Sequence, residues 1–205
     1  MNSVVNLRAY TDPSHVPTLV LIDLQQEYLS PARALAVSDS KTALANCSAA
    51  LAHARAQGFP VAFVRWVGRS PFFNPATRFG QWIDGFEPTG SDMVFERGLP
   101  SCYASASFDE VIGHSGGNIV LAGFAGETAC LSTAIDAFHR GHRALYLADA
   151  SASHCLDDID AESVQRVTSK IIGLYGEAIE TRTWIERTSR RMQSWQGESY
   201  DHKAS

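Results

Sequence analysis

The sequence lacks most of what would commit a chain to a large partner. No apolar run approaches the roughly 20 residues that a membrane span needs. No basic stripe favours nucleic acid and no acidic tail stands out; the net charge of −5 is spread along 205 residues. There is no CxxC pair. The four cysteines, Cys47, Cys102, Cys130 and Cys155, lie far apart, which argues against a zinc site or a disulfide frame and for reduced thiols in a cytoplasmic protein. The opening stretch "MNSVVNLRAYTDPSHVP" has no basic segment followed by an apolar one, so no secretory leader is expected. Internal repeats and low-complexity tracts are missing too. What is present is a chain that is 45% hydrophobic, enough to bury one good core. The expected organisation is an extension over 1–17, one domain over 18–195 and a polar tail over 196–205.

Apolar runs and helical patterns alternate along that domain. "TLVLIDL" (18–24) reads as a strand buried on both faces. "KTALANCSAALAHARAQG" (41–58) has helical spacing and ends in Gly58, a C-cap candidate. Further strands are expected over 59–66, 92–97, 118–124, 143–150 and 177–181, with helices over 106–115, 128–141, 160–175 and 182–195. Between them, 67–91 holds three prolines, four glycines and several aromatics; a loop of that length in a compact domain is often functional. Strands alternating with helices predict an α/β fold: a single-domain, three-layer αβα sandwich around a mostly parallel, Rossmann-like sheet. Sites in such sheets lie at the carboxyl ends of the strands. That rule selects Asp23, Arg97, the 124–130 turn and Asp149.

Each candidate also has an ordinary reading. A strand-end aspartate can cap the next helix, or it can be a buried acid with a displaced pKa. A strand-end arginine can lay its stem over apolar atoms, or it can pair with the aspartate or grip a carboxylate with two parallel N–H groups.

Three stretches, "LVLIDLQQEYL", "MVFERGLPSCY" and "GFAGETACLSTAIDAFHRGHRALYLADA", resemble the isochorismatase-like hydrolases, which belong to the cysteine hydrolase superfamily. The resemblance runs from about residue 18 to residue 185 and is carried by the order of the motifs. It implies the layered α/β fold read above and a site built on an Asp–Lys–Cys triad in the amidohydrolase members. Asp23 matches the family aspartate, with Gln25 two residues on. Arg97 stands where the family has lysine. The family cysteine lies six residues after the strand-ending glycine, here Gly123, and seven before the aspartate of the T-A-x-D-A run, here Asp136. Both counts land on Ala129. Cys130 is one position late, a rotation of about 100° on a helix, which predicts a core stripe with Ala134 and Phe138 and an inert, buried thiol.

Isochorismatases proper also lack that cysteine and cleave a vinyl ether without a covalent intermediate. The resemblance therefore implies a hydrolase of small, carboxylated substrates that does not use a thiol; the alternatives are a cysteine amidohydrolase using Cys130 and a non-catalytic, ligand-binding member. The resemblance marks Asp23, Arg97, Ala129 and Cys130 as the candidate catalytic positions. Gln25, Trp66, Phe72 and Trp82 are expected to bind substrate, together with Tyr103, Phe124 and Ala125. Nicotinamidases of the family carry an Asp/His metal cluster after the second strand. The 67–91 segment has no histidine and a single carboxylate pair, Asp84 and Glu87, so no metal and no cofactor are expected. The expected partners are a small-molecule substrate and further copies of the chain in a homo-oligomer. His154 and Cys155 are adjacent, so their side chains diverge and a Cys–His dyad is disfavoured.

Overall fold

A computed structural model describes residues 16–38, 40–68 and 71–189. Most of the N-terminal extension and all of the polar tail lie outside them. Six parallel strands form one sheet: β1 (Thr18–Ile22), β2 (Val61–Trp66), β3 (Met93–Arg97), β4 (Asn118–Phe124), β5 (Arg143–Ala152) and β6 (Glu177–Ile179). Their spatial order is β3-β2-β1-β4-β5-β6. The helices are α1 (Ser40–Ala56), α2 (Ala106–His114), α3 (Leu131–His139), α4 (Ala161–Tyr175) and α5 over 181–189. The last part of the helix expected over 182–195 falls outside the described residues. Strand and helix types agree with the sequence expectations throughout, with ends displaced by a few residues.

The central strands are apolar on both faces because both faces are covered. Leu19, Leu21, Val61, Phe63, Val120 and Ala122 pack under α1 and α5, reaching Cys47, Leu51 and Trp184. Their neighbours Val20, Ile22, Ala62, Val64, Ile119 and Leu121 pack under the other helices, reaching Phe108, Ala134 and Ile172. Fully burying a leucine or valine of this kind contributes roughly 1.5–3 kcal/mol, so the two-faced runs are the main source of the sheet's stability. Gly58, at φ 69°, closes α1 in the left-handed conformation, and the Phe59 N–H returns to the Ala54 carbonyl at 2.8 Å.

Two local features position the site. The strand order reverses between β1 and β4, which is where a doubly wound sheet opens its crevice. Ile22 pairs with Gly123 there. The second feature is on β5, which loses register against β4 between the pairs Leu121–Tyr146 and Gly123–Ser151. That irregularity carries the strand on to Ala152, so Asp149 is inside it and not at its end. Asp149 Oδ1 accepts the Thr181 N–H and hydroxyl, both at 2.7 Å. It ties down the start of α5 and is a structural residue, against the expectation from its place in the sequence.

Candidate active site

Asp23 follows the last residue of β1 with φ 47°, a left-handed conformation that aspartate tolerates better than most side chains. Its N–H donates to the Val64 carbonyl at 2.8 Å. The turn throws the carboxylate across to β3, where Arg97 Nη2 donates to Asp23 Oδ2. Both side chains are fully buried. Arg97 Nη1 donates to the Leu99 carbonyl, and the guanidinium carbon lies 4.8 Å from the Trp66 ring centroid. Arg97 Nε and Asp23 Oδ1 have no hydrogen-bond partner among the described residues. Burial raises the Asp23 pKa from 3.8 to about 6, against the opposing charge and hydrogen bond of Arg97. The two strand ends therefore meet in one buried ion pair at the carboxyl edge of the sheet. The guanidinium fork, however, is turned inward onto Asp23 and Leu99 and is not presented to a ligand.

The facing wall comes from β4. Gly123 has φ 113°, and a Cβ there would overlap the backbone of Ile22. Phe124 and Ala125 follow, both fully buried. The chain then makes a π-helical turn over Gly126–Cys130. Its hub is the Ala125 carbonyl, which accepts the N–H groups of Ala129 at 3.0 Å and Cys130 at 3.2 Å. Such turns are frequent at functional sites. Ala129 fills the nucleophile's expected place with a methyl group, and its carbonyl accepts the Thr133 hydroxyl at 2.7 Å. Cys130 points into the core, with Sγ 3.8 Å from both the Gly123 carbonyl and the Ser151 hydroxyl. Burial lifts its pKa well above the usual thiol range. Its expected stripe is only half formed: Ala134 is buried, but Phe138 is 41% exposed and stacks on Tyr175.

The expected binding residues divide. Gln25 is fully buried. Its amide NH₂ donates to the carbonyls of Trp66 and Gly80, both at 3.0 Å, and its oxygen accepts the Trp66 N–H at 2.9 Å. It staples the long loop to β2 and has little left for a substrate. Tyr103 is buried against Phe108, and its hydroxyl pairs with His142 Nδ1 at 2.9 Å; it belongs to the core beside α2. Trp82 stacks edge-on against Phe63 beneath Arg65, so it packs the loop onto the body. Phe72 lies 5.3 Å from the Arg33 guanidinium, whose Nε donates to the buried Glu27 at 2.7 Å. Trp66 and Phe124 remain near the charged pair: Trp66 through Arg97, and Phe124 through Tyr28, whose ring is 5.6 Å away. Among the described residues no group of three metal-ligating side chains gathers.

Tyr28 and Glu127 were not singled out individually by the sequence, and His154 was weighed only as a partner of Cys155. Tyr28 sits between Phe73 and Phe124; burial and then the nearby charge of Asp23 push its pKa well above 10. Glu127, on the π-turn, meets His154 across 27 residues of sequence, Oε1 to Nδ1 at 2.6 Å. His154 Nε2 is 3.0 Å from the Leu35 carbonyl. Both imidazole nitrogens therefore face oxygens, which favours the doubly protonated ring. The Glu127 hydrogen bond accordingly raises the His154 pKa above 6.5. Burial alone would raise Glu127, but the hydrogen bond and charge of His154 hold it below 4.5. An isolated "SHC" gives no sign of this partner; the one sequence signal was a carboxylate inside the turn at a strand's carboxyl end.

The isochorismatase domain, as a family model, matches residues 17–174, well over half of the chain. The chain belongs to the isochorismatase family. Among solved structures of this family, an isochorismatase from Pseudomonas putida is 26% identical, with 82% of this chain and 89% of that one covered at a TM-score of 0.75. A cysteine hydrolase from Pseudomonas syringae pv. phaseolicola is 20% identical over 84% of this chain and 92% of its own, at a TM-score of 0.77. An isochorismatase-like hydrolase from Alkaliphilus metalliredigens, 15% identical, covers 84% and 98% at 0.75. The latter two show the shared fold. Among curated proteins no significant match is found. The candidate site of this family member lies where β1 and β4 meet at the carboxyl end of the sheet. At its centre Asp23 and Arg97 form a buried ion pair, with the Cys102 thiol beside Arg97.

Proposed function

We propose that this isochorismatase-family hydrolase cleaves an acid-labile C–O bond in a small substrate, without a covalent cysteine intermediate. The observation that supports this most directly is Asp23. Its carboxyl is buried at the switch point of the sheet with a pKa raised to about 6, and its Oδ1 has no protein partner among the described residues. Arg97 holds Oδ2, so in the acid form the proton belongs on Oδ1. A carboxylic acid kept partly protonated near neutral pH can deliver that proton to the carbon of a vinyl ether. The ether carbon then becomes an oxocarbenium centre and accepts water. The buried, high-pKa thiol of Cys130 argues against nucleophilic attack on an amide, which needs a thiolate. The Arg97 Nε–H has no partner among the described residues and would be a donor to a substrate carboxylate. The four free cysteines fit a reducing compartment such as the cytoplasm.

The test is hydrolysis of isochorismate, a set of simpler enolpyruvyl ethers and a set of small amides, followed by product chromatography. Ether cleavage should survive Cys130→Ala and iodoacetamide, fall by at least 100-fold in Asp23→Asn, and persist in part in Arg97→Lys, since lysine can still hold Asp23 Oδ2. Amide hydrolysis abolished by Cys130→Ala, with the ethers untouched, would establish the amidohydrolase reading instead.

A further inference from the structure

Asp23 accounts for one proton, but addition of water to an oxocarbenium centre also needs a group to take a proton from that water. We propose that Glu127 is this general base and that His154 is its positioning residue. The inference rests on the non-thiol hydrolase reading above.

The geometry carries it. Glu127 and Asp23 leave neighbouring parallel strands at one level: Ile22 and Gly123 are register partners, Asp23 follows the first, and Glu127 lies four residues past the second. Both acids therefore come to the β1/β4 crevice. The Tyr28 phenol is within electrostatic reach of Asp23, Arg97 and Glu127 alike. The Glu127 side chain is 9% exposed. One oxygen is fixed by His154; the other, Oε2, is buried with no protein partner among the described residues. Ser153 is close by, but its hydroxyl donates to Gln165 at 2.7 Å. His154 itself is clamped from both sides, by Glu127 and by the Leu35 carbonyl. It is thus an orienting cation for Glu127 with no free nitrogen for substrate. A carboxylate fixed at one oxygen, with the other left by the geometry without a hydrogen-bond partner among the described residues, has the form required of a base, as a catalytic histidine does when its second nitrogen is fixed by an acid.

The two carboxyls are also pushed in opposite directions, Asp23 up to about 6 and Glu127 below 4.5. Between those values one acid carries a proton and the other does not, the division of labour that acid–base hydrolysis uses. The other titratable groups within reach of Glu127 are Tyr28 and Tyr146, both raised by burial and therefore neutral there.

Atoms and charges balance through the reaction. The Asp23 proton bonds to the enol carbon. Water adds to the oxocarbenium carbon as Glu127 takes one of its protons. The resulting hemiketal breaks its C–O bond. The leaving alkoxide takes the proton from Glu127 and the hemiketal hydroxyl proton returns to Asp23, giving an alcohol and a ketone.

The experiment uses the full chain with the ether panel, comparing wild type with Glu127→Gln, Glu127→Asp and His154→Gln after melting curves establish folding. The wild-type kcat/KM profile should be bell-shaped, with an acid limb below 4.5 from Glu127 and a basic limb near 6 from Asp23. Glu127→Gln should lose about 100- to 10,000-fold in kcat, the usual range for a general base, with KM within a few-fold, and should lose the acid limb. Glu127→Asp, which keeps the carboxylate, should retain part of kcat and the acid limb; if the glutamine variant does not fold, loss of the acid limb in this aspartate variant overturns the assignment and its retention supports it. His154→Gln should lose less kcat, and its acid limb should move upward because the imidazolium is gone. A wild type that cleaves ethers while Glu127→Gln keeps its kcat and its acid limb overturns this assignment alone. A wild type inert toward every ether overturns the hydrolase reading and this assignment with it.

Discussion

At the scale of single residues the site is decided by which polar atoms the protein leaves open. Arg97 has its terminal nitrogens on Asp23 and Leu99, so it acts as the fixed partner of a buried acid. Removing one member of such a pair commonly costs about 3–5 kcal/mol, because the survivor is an uncompensated buried charge. Cys130 is closed off in a different way: it is 0% exposed, its sulfur lies 3.8 Å from the Ser151 hydroxyl, and burial raises its pKa far above 9.0. Two further thiols, Cys47 and Cys102, are buried as well; Cys102 is pushed up to about 11 by burial despite the nearby Arg97. Cys155 is exposed. Alkylation of the native protein with iodoacetamide at neutral pH, read by peptide mass mapping, should therefore modify Cys155 and leave Cys130 unlabelled until denaturant is added. Rapid labelling of Cys130 in the folded protein would contradict its burial. The burial of Cys130 was legible in the sequence, from the helical position it takes. The fates of Gln25 and Tyr103 were not, because a buried amide or phenol shows its partner only once distant backbone segments are brought together.

At the scale of elements, the crevice depends on how tightly β1 and β4 approach at their ends. Gly123 is the contact point. A side chain there would overlap the Ile22 backbone, and φ 113° is a conformation that side-chain-bearing residues rarely adopt. Gly123→Ala should lower stability by about 2–4 kcal/mol, combining strain with a backbone clash, and should displace Asp23 and the π-turn together. Urea unfolding measures the first effect and loss of ether hydrolysis the second; an alanine variant with wild-type midpoint and activity would mean the strands have room to part. The strands and helices themselves were readable, because two-faced apolar runs and helical periodicity are local signals. The continuation of β5 through Ala152 was not, since a register irregularity depends on the neighbouring strand. For the same reason Asp149 looked like a strand-end acid and proves to be a tether for α5.

At the scale of the whole molecule, fold and crevice followed from strand alternation and the carboxyl-end rule, whereas the Glu127–His154 pair needed three-dimensional proximity. The same buried groups also govern how stability responds to pH. Asp23 has a folded pKa of about 6 against 3.8 for the free side chain, so the native state binds the proton more tightly than the unfolded chain. Its contribution is full below 3.8 and is lost as pH rises through about 6; two units correspond to on the order of 3 kcal/mol. His154, also raised, loses its contribution as pH rises through a value above 6.5. Glu127, lowered, contributes above 4.5 and loses that contribution as pH falls through its lower folded value. His53 and His142 are lowered by burial and act oppositely to Asp23, favouring the fold above 6.5, but both are less deeply buried than Asp23. The cleanest measurement is a difference: melting temperatures of wild type and Asp23→Asn from about pH 4 to about pH 8. The asparagine variant keeps an acceptor for Arg97 and never ionises. It should fall furthest behind, or gain least, at the acid end, and should improve relative to wild type as pH passes through about 6, levelling off above neutrality. A difference that is flat with pH would mean that Asp23 titrates at its ordinary value in the folded protein, and the proton donor of the proposed reaction would be lost with it.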